Sequence, residues 1–110
     1  MNESTCASSE MIAFGLVAQA GDARSKADEA LYAAKHGDYE RAHVLMSQAD
    51  ESILGAHKIQ TELLAREASG DHQPVDILLI HAQDHLMTAM LAKELISELI
   101  ELHRAIGTQK

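Results

Sequence analysis

The sequence is poor in the residues that build sheets, disulfides and irregular loops. Aromatic residues make up 3% of its 110 residues, tryptophan is absent, and proline and cysteine occur once each. A single cysteine excludes an internal disulfide, so nothing in the cysteine content indicates an oxidising compartment. Alanine and leucine dominate the apolar residues instead, which is typical of packed helices. The hydrophobic fraction of 46% can build a core, which excludes a disordered chain.

Basic residues are also scarce, with 9 Lys and Arg against 17 Asp and Glu, which gives a formal net charge of −8. A chain of this charge repels phosphate backbones and anionic lipid surfaces, so we expect no nucleic-acid partner. No basic segment followed by an apolar run opens the sequence, which argues against a secretory signal. The longest nearly uncharged stretch, residues 77–92, is shorter than the ~20 residues that a membrane span requires. We therefore expect one soluble, cytoplasmic domain.

The apolar residues recur every three or four positions, which predicts three long helices and no strand. Short connections between helices force neighbours to be antiparallel, so the expected fold class is all-α, an up-down-up three-helix hairpin. We expect a disordered N-terminus over residues 1–9 and one helical domain over residues 10–106. The predicted elements are a first helix from Glu10 to the turn at Gly37, a second over residues 39–66 with Asp38 as its N-cap, and a third from Pro74 or Asp76 to Arg104.

The buried faces of the first two helices follow from the same spacing. Small residues dominate the first face, which permits close helix approach. The predicted buried residues are Ala13, Leu16, Ala20, Ala23, Ala27, Ala30, Leu31 and Ala34 in the first helix, and Ala42, Leu45, Met46, Ala49, Ile53, Ala56, Ile59 (or Gln60), Leu63 and Leu64 in the second.

The third helix is apolar on nearly every side over residues 77–92. Two partner helices cannot cover its whole circumference, so we expect another copy of the chain to cover the remainder. The alternative is that the other two helices wrap it well enough. One row at the ~3.5-residue spacing of a coiled coil is formed by Ile77, Ile80, Asp84, Met87 and Leu91.

Asp84 interrupts this apolar row with a carboxylate. An ionised group among apolar neighbours costs several kcal/mol unless it is paired. On a symmetry axis, copies of Asp84 would share protons, or a hard cation such as Mg²⁺ would bind between them. The alternative is that Asp84 faces a solvated groove or bonds a neighbouring hydroxyl. The pattern alone leaves both interpretations open.

His81, Asp84 and His85 lie within one helical turn, and the two histidines allow several interpretations. They can be structural and inert. They can bind zinc, with a third ligand such as His57, although Ala82 stands where a zincin carries its catalytic glutamate. His81 can also act as a general acid or base.

The fourth interpretation is that His81 accepts a phosphoryl group. A neutral imidazole can do so if one ring nitrogen faces solvent and donors lie nearby for the new dianion. His85, or Gln60 and His57 of the second helix, are candidates for those donors. The sequence has no glycine-rich phosphate loop, which argues against nucleotide-triphosphate chemistry.

The segment His81-Ala-Gln-Asp-His-Leu-Met87, followed by Thr88 and Leu95-Ile-x-Glu-Leu-Ile100, resembles the third helix of the lactose/cellobiose-type enzyme IIA of the bacterial phosphotransferase system. Residues 21–25, 37–39 and 56–61 resemble its first helix, first turn and second helix, so the resemblance covers about residues 11–104. The seven-residue run is far more specific than a lone His-x-x-x-His. From this resemblance we expect greater similarity to the cellobiose and N,N'-diacetylchitobiose proteins than to the lactose proteins, which share the motif.

The resemblance implies a homotrimer that forms a nine-helix bundle. It implies that His81 is transiently phosphorylated on Nε2 and that His85 has a supporting role at the phosphoryl site. It also implies that Asp84 lies on the trimer axis and shares one structural divalent cation, Mg²⁺, with its two copies.

The implied function is a phosphoryl relay in sugar uptake. Phospho-HPr donates the phosphoryl group to His81, which passes it to a cysteine of the cognate IIB protein. The membrane protein IIC would transport the β-linked disaccharide, so the chain itself would bind no sugar. The alternatives are a zinc-binding bundle held by His81 and His85, and a non-catalytic helical interaction protein.

Overall fold

The computed structural model describes the backbone of residues 2–108 and the side chains of residues 10–107. The chain forms three helices, α1 (Asn2–Lys35), α2 (Tyr39–Ala68) and α3 (Ile77–Thr108), and residues 2–108 contain no strand. The expected all-α class with three helices is confirmed. None of the helices in these residues is both long enough and apolar enough to cross a membrane.

The first helix begins before its expected start at Glu10, because no glycine or proline interrupts residues 2–14. The third helix likewise continues past Arg104 and includes Gly107. The side chains of residues 1–9 lie outside the described part of the chain, so the expected disorder of this segment stays a prediction.

The turn between α1 and α2 has the local chemistry that its sequence predicts. Gly37 adopts a φ of 82°, and its N–H donates to the carbonyl of Ala34 at 3.0 Å. The N–H of Asp38 donates to the carbonyl of Ala33 at 2.9 Å, which satisfies the end of α1. The side chain of Asp38 then accepts from the N–H of Arg41 at 3.1 Å and caps α2. This short turn makes α1 and α2 antiparallel.

The connection from α2 to α3 also contains a glycine that ends one helix and an aspartate that caps the next. Gly70 has a φ of 95°, and the N–H of Asp71 donates to the carbonyl of Arg66 at 2.9 Å. Asp76 accepts from the N–H of Leu79 at 2.8 Å. Of the two expected starting residues, Asp76 is therefore the N-cap of α3.

The core is a line of small side chains along α1, which lies between the other two helices. Helix α1 contacts both α2 and α3 extensively, whereas α2 and α3 meet at few positions. The molecule is a rod of 63 × 22 × 20 Å. Only Leu16 and Leu86 are large side chains that are fully buried among the described residues. The buried residues are Ala13, Leu16, Ala20, Ala23, Ala27, Ala30, Ala33 and Ala34 of α1, Ala42, Leu45, Ala49, Ile53, Ala56 and Leu63 of α2, and Ala82, Leu86, Ala89 and Ile96 of α3.

The predicted buried faces are largely confirmed, with one error. Leu31, Met46 and Ile59 are half-buried rather than fully buried. Leu64 is 61% exposed, so its predicted burial is wrong for the single chain. The reason is rotational: Leu63 takes the inward position, and the next residue lies about 100° further around the helix.

Helix α3 leaves one apolar face uncovered in the single chain. Ile77 is 86% exposed and Leu91 is 56% exposed, so the alternative that α1 and α2 wrap α3 is wrong. We refer to this surface as the open α3 face. Its exposed apolar residues are Ile77, Ile80, Met87, Leu91, Leu95, Leu99, Leu102 and Ile106. A surface of this extent is typical of a face that another protein surface covers.

Candidate functional site

The ring of His81 is open to solvent near the start of α3. The N-cap at Asp76 holds the first turn of the helix, and His81 lies in the next turn with its side chain exposed. Within the described residues the His81 side chain makes no hydrogen bond or ion pair, and its recorded contact is with another ring. The exposed ring therefore has no partner in the chain that would compete with an incoming group.

His85 lies beside His81 and is held between that ring and helix α1. The two ring centroids are 5.7 Å apart and the ring planes differ by 13°, which is an offset stack. The side chain of His85 is half-buried, and its Nε2 lies 3.8 Å from the point where a Cβ on Gly21 would stand. The neighbour of His85 on this side is thus helix α1 at Gly21.

Asp84 lies in the middle of the open α3 face. Its side chain is exposed, and the spacing of the helix puts Ile80, Met87 and Leu91 on the same face. His81 is about 60° around the helix from Asp84, at the edge of that face. A surface that covers Asp84 can therefore leave His81 at its rim.

Neither metal interpretation is complete within one chain. Among the described residues, no three His, Cys, Asp or Glu side chains converge closely enough to hold an ion. His57 does not join His81 and His85 as a third zinc ligand. A carboxylate oxygen is the donor that Mg²⁺ prefers, so Asp84 fits this ion if further copies of the chain supply more carboxylates.

Helix α2 contacts α3 on the side that lies opposite His81. The Nε2 of Gln60 donates to Oε1 of Gln83 at 2.6 Å and lies 3.6 Å from the sulfur of Met87. Gln83 is two residues from His81 and faces nearly the opposite direction. Gln60 is therefore not a donor beside His81 in the single chain, and that interpretation is wrong.

Two of these contacts were not predicted from the sequence. The bond from Gln60 to Gln83 joins residues on two helices and has no local signal. The position of the His85 ring beside Gly21 has a weak local signal, since a glycine inside an alanine-rich helix is unfavourable and suggests a packing reason.

The comparisons with known proteins agree with the three-helix fold. Residues 11–104 match the family described as PTS system, lactose/cellobiose specific IIA subunit. The lactose-specific EIIA component of Streptococcus mutans is 53% identical over 94 residues, which are 86% of this chain and 90% of that protein. The crystal structure of the cellobiose-specific enzyme IIA of Bacillus anthracis aligns with a TM-score of 0.90 at 45% identity, over 93% of this chain and 94% of that one.

The structure of a third similar protein was solved in complex with a partner. IIA(chitobiose) of Escherichia coli, in its solution complex with HPr, aligns with a TM-score of 0.78 at 44% identity, over 90% of this chain and 96% of that one. The matched proteins are all components of a sugar phosphotransferase system. The chain belongs to the lactose/cellobiose-specific IIA family of that system. Proteins specific for lactose, cellobiose and chitobiose all match most of the chain. The similarity therefore indicates a class of sugars and does not single out one sugar.

Proposed function

We propose that this chain carries a phosphoryl group from phospho-HPr to the cognate IIB protein during uptake of a β-linked disaccharide. The acceptor is Nε2 of His81, and the observation that carries the proposal is the exposed, unbonded ring of this residue within the motif of residues 81–87. The solved complex of IIA(chitobiose) with HPr supports HPr as the donor. A cytoplasmic location and a transport step in IIC are parts of the same proposal.

The transfer consists of two substitutions at phosphorus. In the first, the lone pair of Nε2 of His81 forms a bond to phosphorus, and the P–N bond to the histidine of HPr breaks, so that its imidazole leaves with the electron pair. In the second, a cysteine thiolate of IIB attacks phosphorus, and His81 leaves as neutral imidazole. No oxidant or nucleotide is needed. Such reactions depend mainly on positioning and on stabilising charge at the equatorial oxygens.

His85 is the residue of this chain that is best placed to assist. Its half-buried ring has less freedom than an exposed one, and the offset stack restricts how the ring of His81 can turn. A ring N–H of His85 can also donate to an oxygen of the phosphoryl group on His81. We therefore propose that His85 positions His81 and supports the phosphorylated state.

The net charge of −8 is consistent with basic partner surfaces. Acidic groups around a contact surface speed the encounter with a basic partner and reject acidic ones. Nothing in this proposal requires the chain to bind the sugar itself.

Labelling of the chain tests the proposal. With radioactive phosphoenolpyruvate, enzyme I and HPr, we expect one phosphoryl group per chain, in an acid-labile and base-stable form typical of phosphohistidine. Addition of IIB should remove the label from this chain. A reaction without HPr is the control. An unlabelled chain, or a label that IIB never removes, would contradict the relay.

We further propose that three copies pack through their open α3 faces, as a nine-helix bundle. The exposed apolar residues of this face support it, because their burial removes a large apolar surface from water. Asp84 from each copy would then lie near the axis and bind one Mg²⁺. When bound, the ion would offset two of the three negative charges of the converging carboxylates. His81, at the edge of the face, stays accessible to HPr.

Replacing Asp84 with Leu is expected to preserve the trimer and to abolish its stabilisation by Mg²⁺. The change exchanges a buried charge for packing, so in chelator the variant should be more stable than wild type, by about 1–4 kcal/mol. Sedimentation and thermal unfolding, each with Mg²⁺ and with EDTA, measure both effects. Asp84→Asn is the matched variant, since it removes the charge and keeps the size. Monomeric Asp84→Leu, or a variant that Mg²⁺ still stabilises, would refute the axial site.

A further inference from the structure

We propose that Gly21 of α1 is a positioning residue of the phosphoryl site, which acts by leaving open the space that the His85 ring occupies. The inference rests on the proposed relay through His81. Nε2 of His85 lies 3.8 Å from the point where a Cβ on Gly21 would stand. That ring in turn stacks on His81. The ring of His85 thus lies between the open position at Gly21 on α1 and the ring of His81.

A second glycine of the same helix has no such neighbour. Gly15 and Gly21 are both half-buried in the interior of α1, where glycine is less favourable than alanine. A Cβ on Gly15 would meet nothing within 4 Å, whereas a Cβ on Gly21 would meet His85. The two positions are both helical and half-buried, and they differ in this neighbour. Gly15 is therefore a matched control.

The size of the available space decides which side chains fit. A separation of 3.8 Å is ordinary van der Waals contact, so alanine fits at position 21 without displacing the ring. A longer side chain carries atoms about 1.5 Å beyond Cβ, and we expect those on the side of His85 to overlap its ring. In a helix, long side chains lean toward the N-terminal turn. Because α1 and α3 run in the same direction, that lean points from the level of His85 toward that of His81.

Displacement of His85 removes the stack and changes the orientation of His81, while the exposed surface that meets HPr is retained. The expected effect is therefore on the transfer step rather than on the encounter. Misplacement of a reacting group by about 1 Å can slow a reaction by up to ~100-fold.

The first experiment compares Gly21→Leu with Gly21→Ala and Gly15→Leu. Phosphorylation by phospho-HPr is followed at varied donor concentration, and circular dichroism checks the fold. We expect kcat to fall at least about tenfold in Gly21→Leu with KM nearly unchanged. Gly21→Ala and Gly15→Leu should stay within about twofold of wild type, since neither crowds the ring. A wild-type kcat in Gly21→Leu, or an equal loss in Gly15→Leu, would overturn the proposal.

The second experiment tests whether Gly21 acts through His85. His85→Ala should slow transfer without eliminating it, and adding Gly21→Leu to that variant should cause no further loss. Additive losses would make Gly21 a merely structural residue. If Gly21→Leu alone unfolds, His85→Ala should restore its fold, because the leucine then fills the volume that the ring vacates. Failure of that rescue would also overturn the proposal.

The two proposals fail in different ways. An unlabelled wild-type chain would contradict the relay itself. A labelled wild type with a fully active Gly21→Leu would leave the relay intact and remove only the role of Gly21.

Discussion

Replacing His81 with Ala is expected to abolish phosphorylation of the chain by phospho-HPr. The side chain is exposed and makes no hydrogen bond within the described residues, so its loss removes the acceptor nitrogen and little else. The substitution also removes the stack between His81 and His85. Labelling from radioactive phosphoenolpyruvate should therefore fall to background, while the unfolding temperature and the mass in sedimentation remain those of wild type.

His57→Ala is the matched control for that experiment. His57 is also an exposed histidine within a helix, on α2, and its replacement should leave labelling unchanged. Fragment mapping of the labelled wild type should locate the phosphoryl group on a peptide that contains His81. A labelled His81→Ala protein would assign the acceptor to a different imidazole, and the proposed relay would be wrong.

Replacing Leu91 with Lys is expected to dissociate the proposed trimer. Leu91 is 56% exposed in the single chain and lies on the open α3 face. At a three-fold contact, each copy would bring one ammonium group into an apolar surface beside two others of like charge. Burial of an unpaired charge costs several kcal/mol, and here the cost is paid at three positions. Sedimentation should report one chain of 11.9 kDa instead of about three times that mass.

Leu54→Lys controls for the introduction of a charge in place of a leucine. Leu54 is 70% exposed and belongs to α2 rather than to the open α3 face. This variant should sediment like wild type. A Leu91→Lys protein that keeps the mass of wild type would show that the copies meet through another surface, and a monomeric wild type would refute the trimer altogether.

The features of the fold that were predictable from the sequence are those with a local cause. The turn at Gly37 and the cap at Asp38 depend on residues within a few positions, so the end of α1 and the start of α2 could be located. The alanines of α1 followed from helical periodicity alone. The central place of α1 was not predictable, because it depends on how three helices arrange around one another. The exposure of Leu64 has the same origin.

The same distinction between local and non-local causes applies to the candidate site. His81, Asp84 and His85 had to share one turn of helix, since their spacing is i, i+3 and i+4. The partner helix of this turn was the uncertain part. Gln60 on α2 was one candidate donor beside His85, whereas Gln60 bonds Gln83 and the ring of His85 lies near Gly21 on α1. Registers between helices depend on packing along their whole length, so no local motif encodes them.

The alanine-lined contact along α1 constrains how this molecule can vary. Ala20, Ala23 and Ala27 have no exposed surface, so their methyl groups are enclosed by the neighbouring helices. A larger side chain at such a position overpacks the core, which lowers the free energy of unfolding by about 1–3 kcal/mol. It would also spread α3 away from α1 and alter the curvature of the surface on which copies would meet. We therefore expect substitution of these alanines by larger residues to destabilise the fold more than substitution by glycine. Neutral substitutions are expected on the outward faces of the helices.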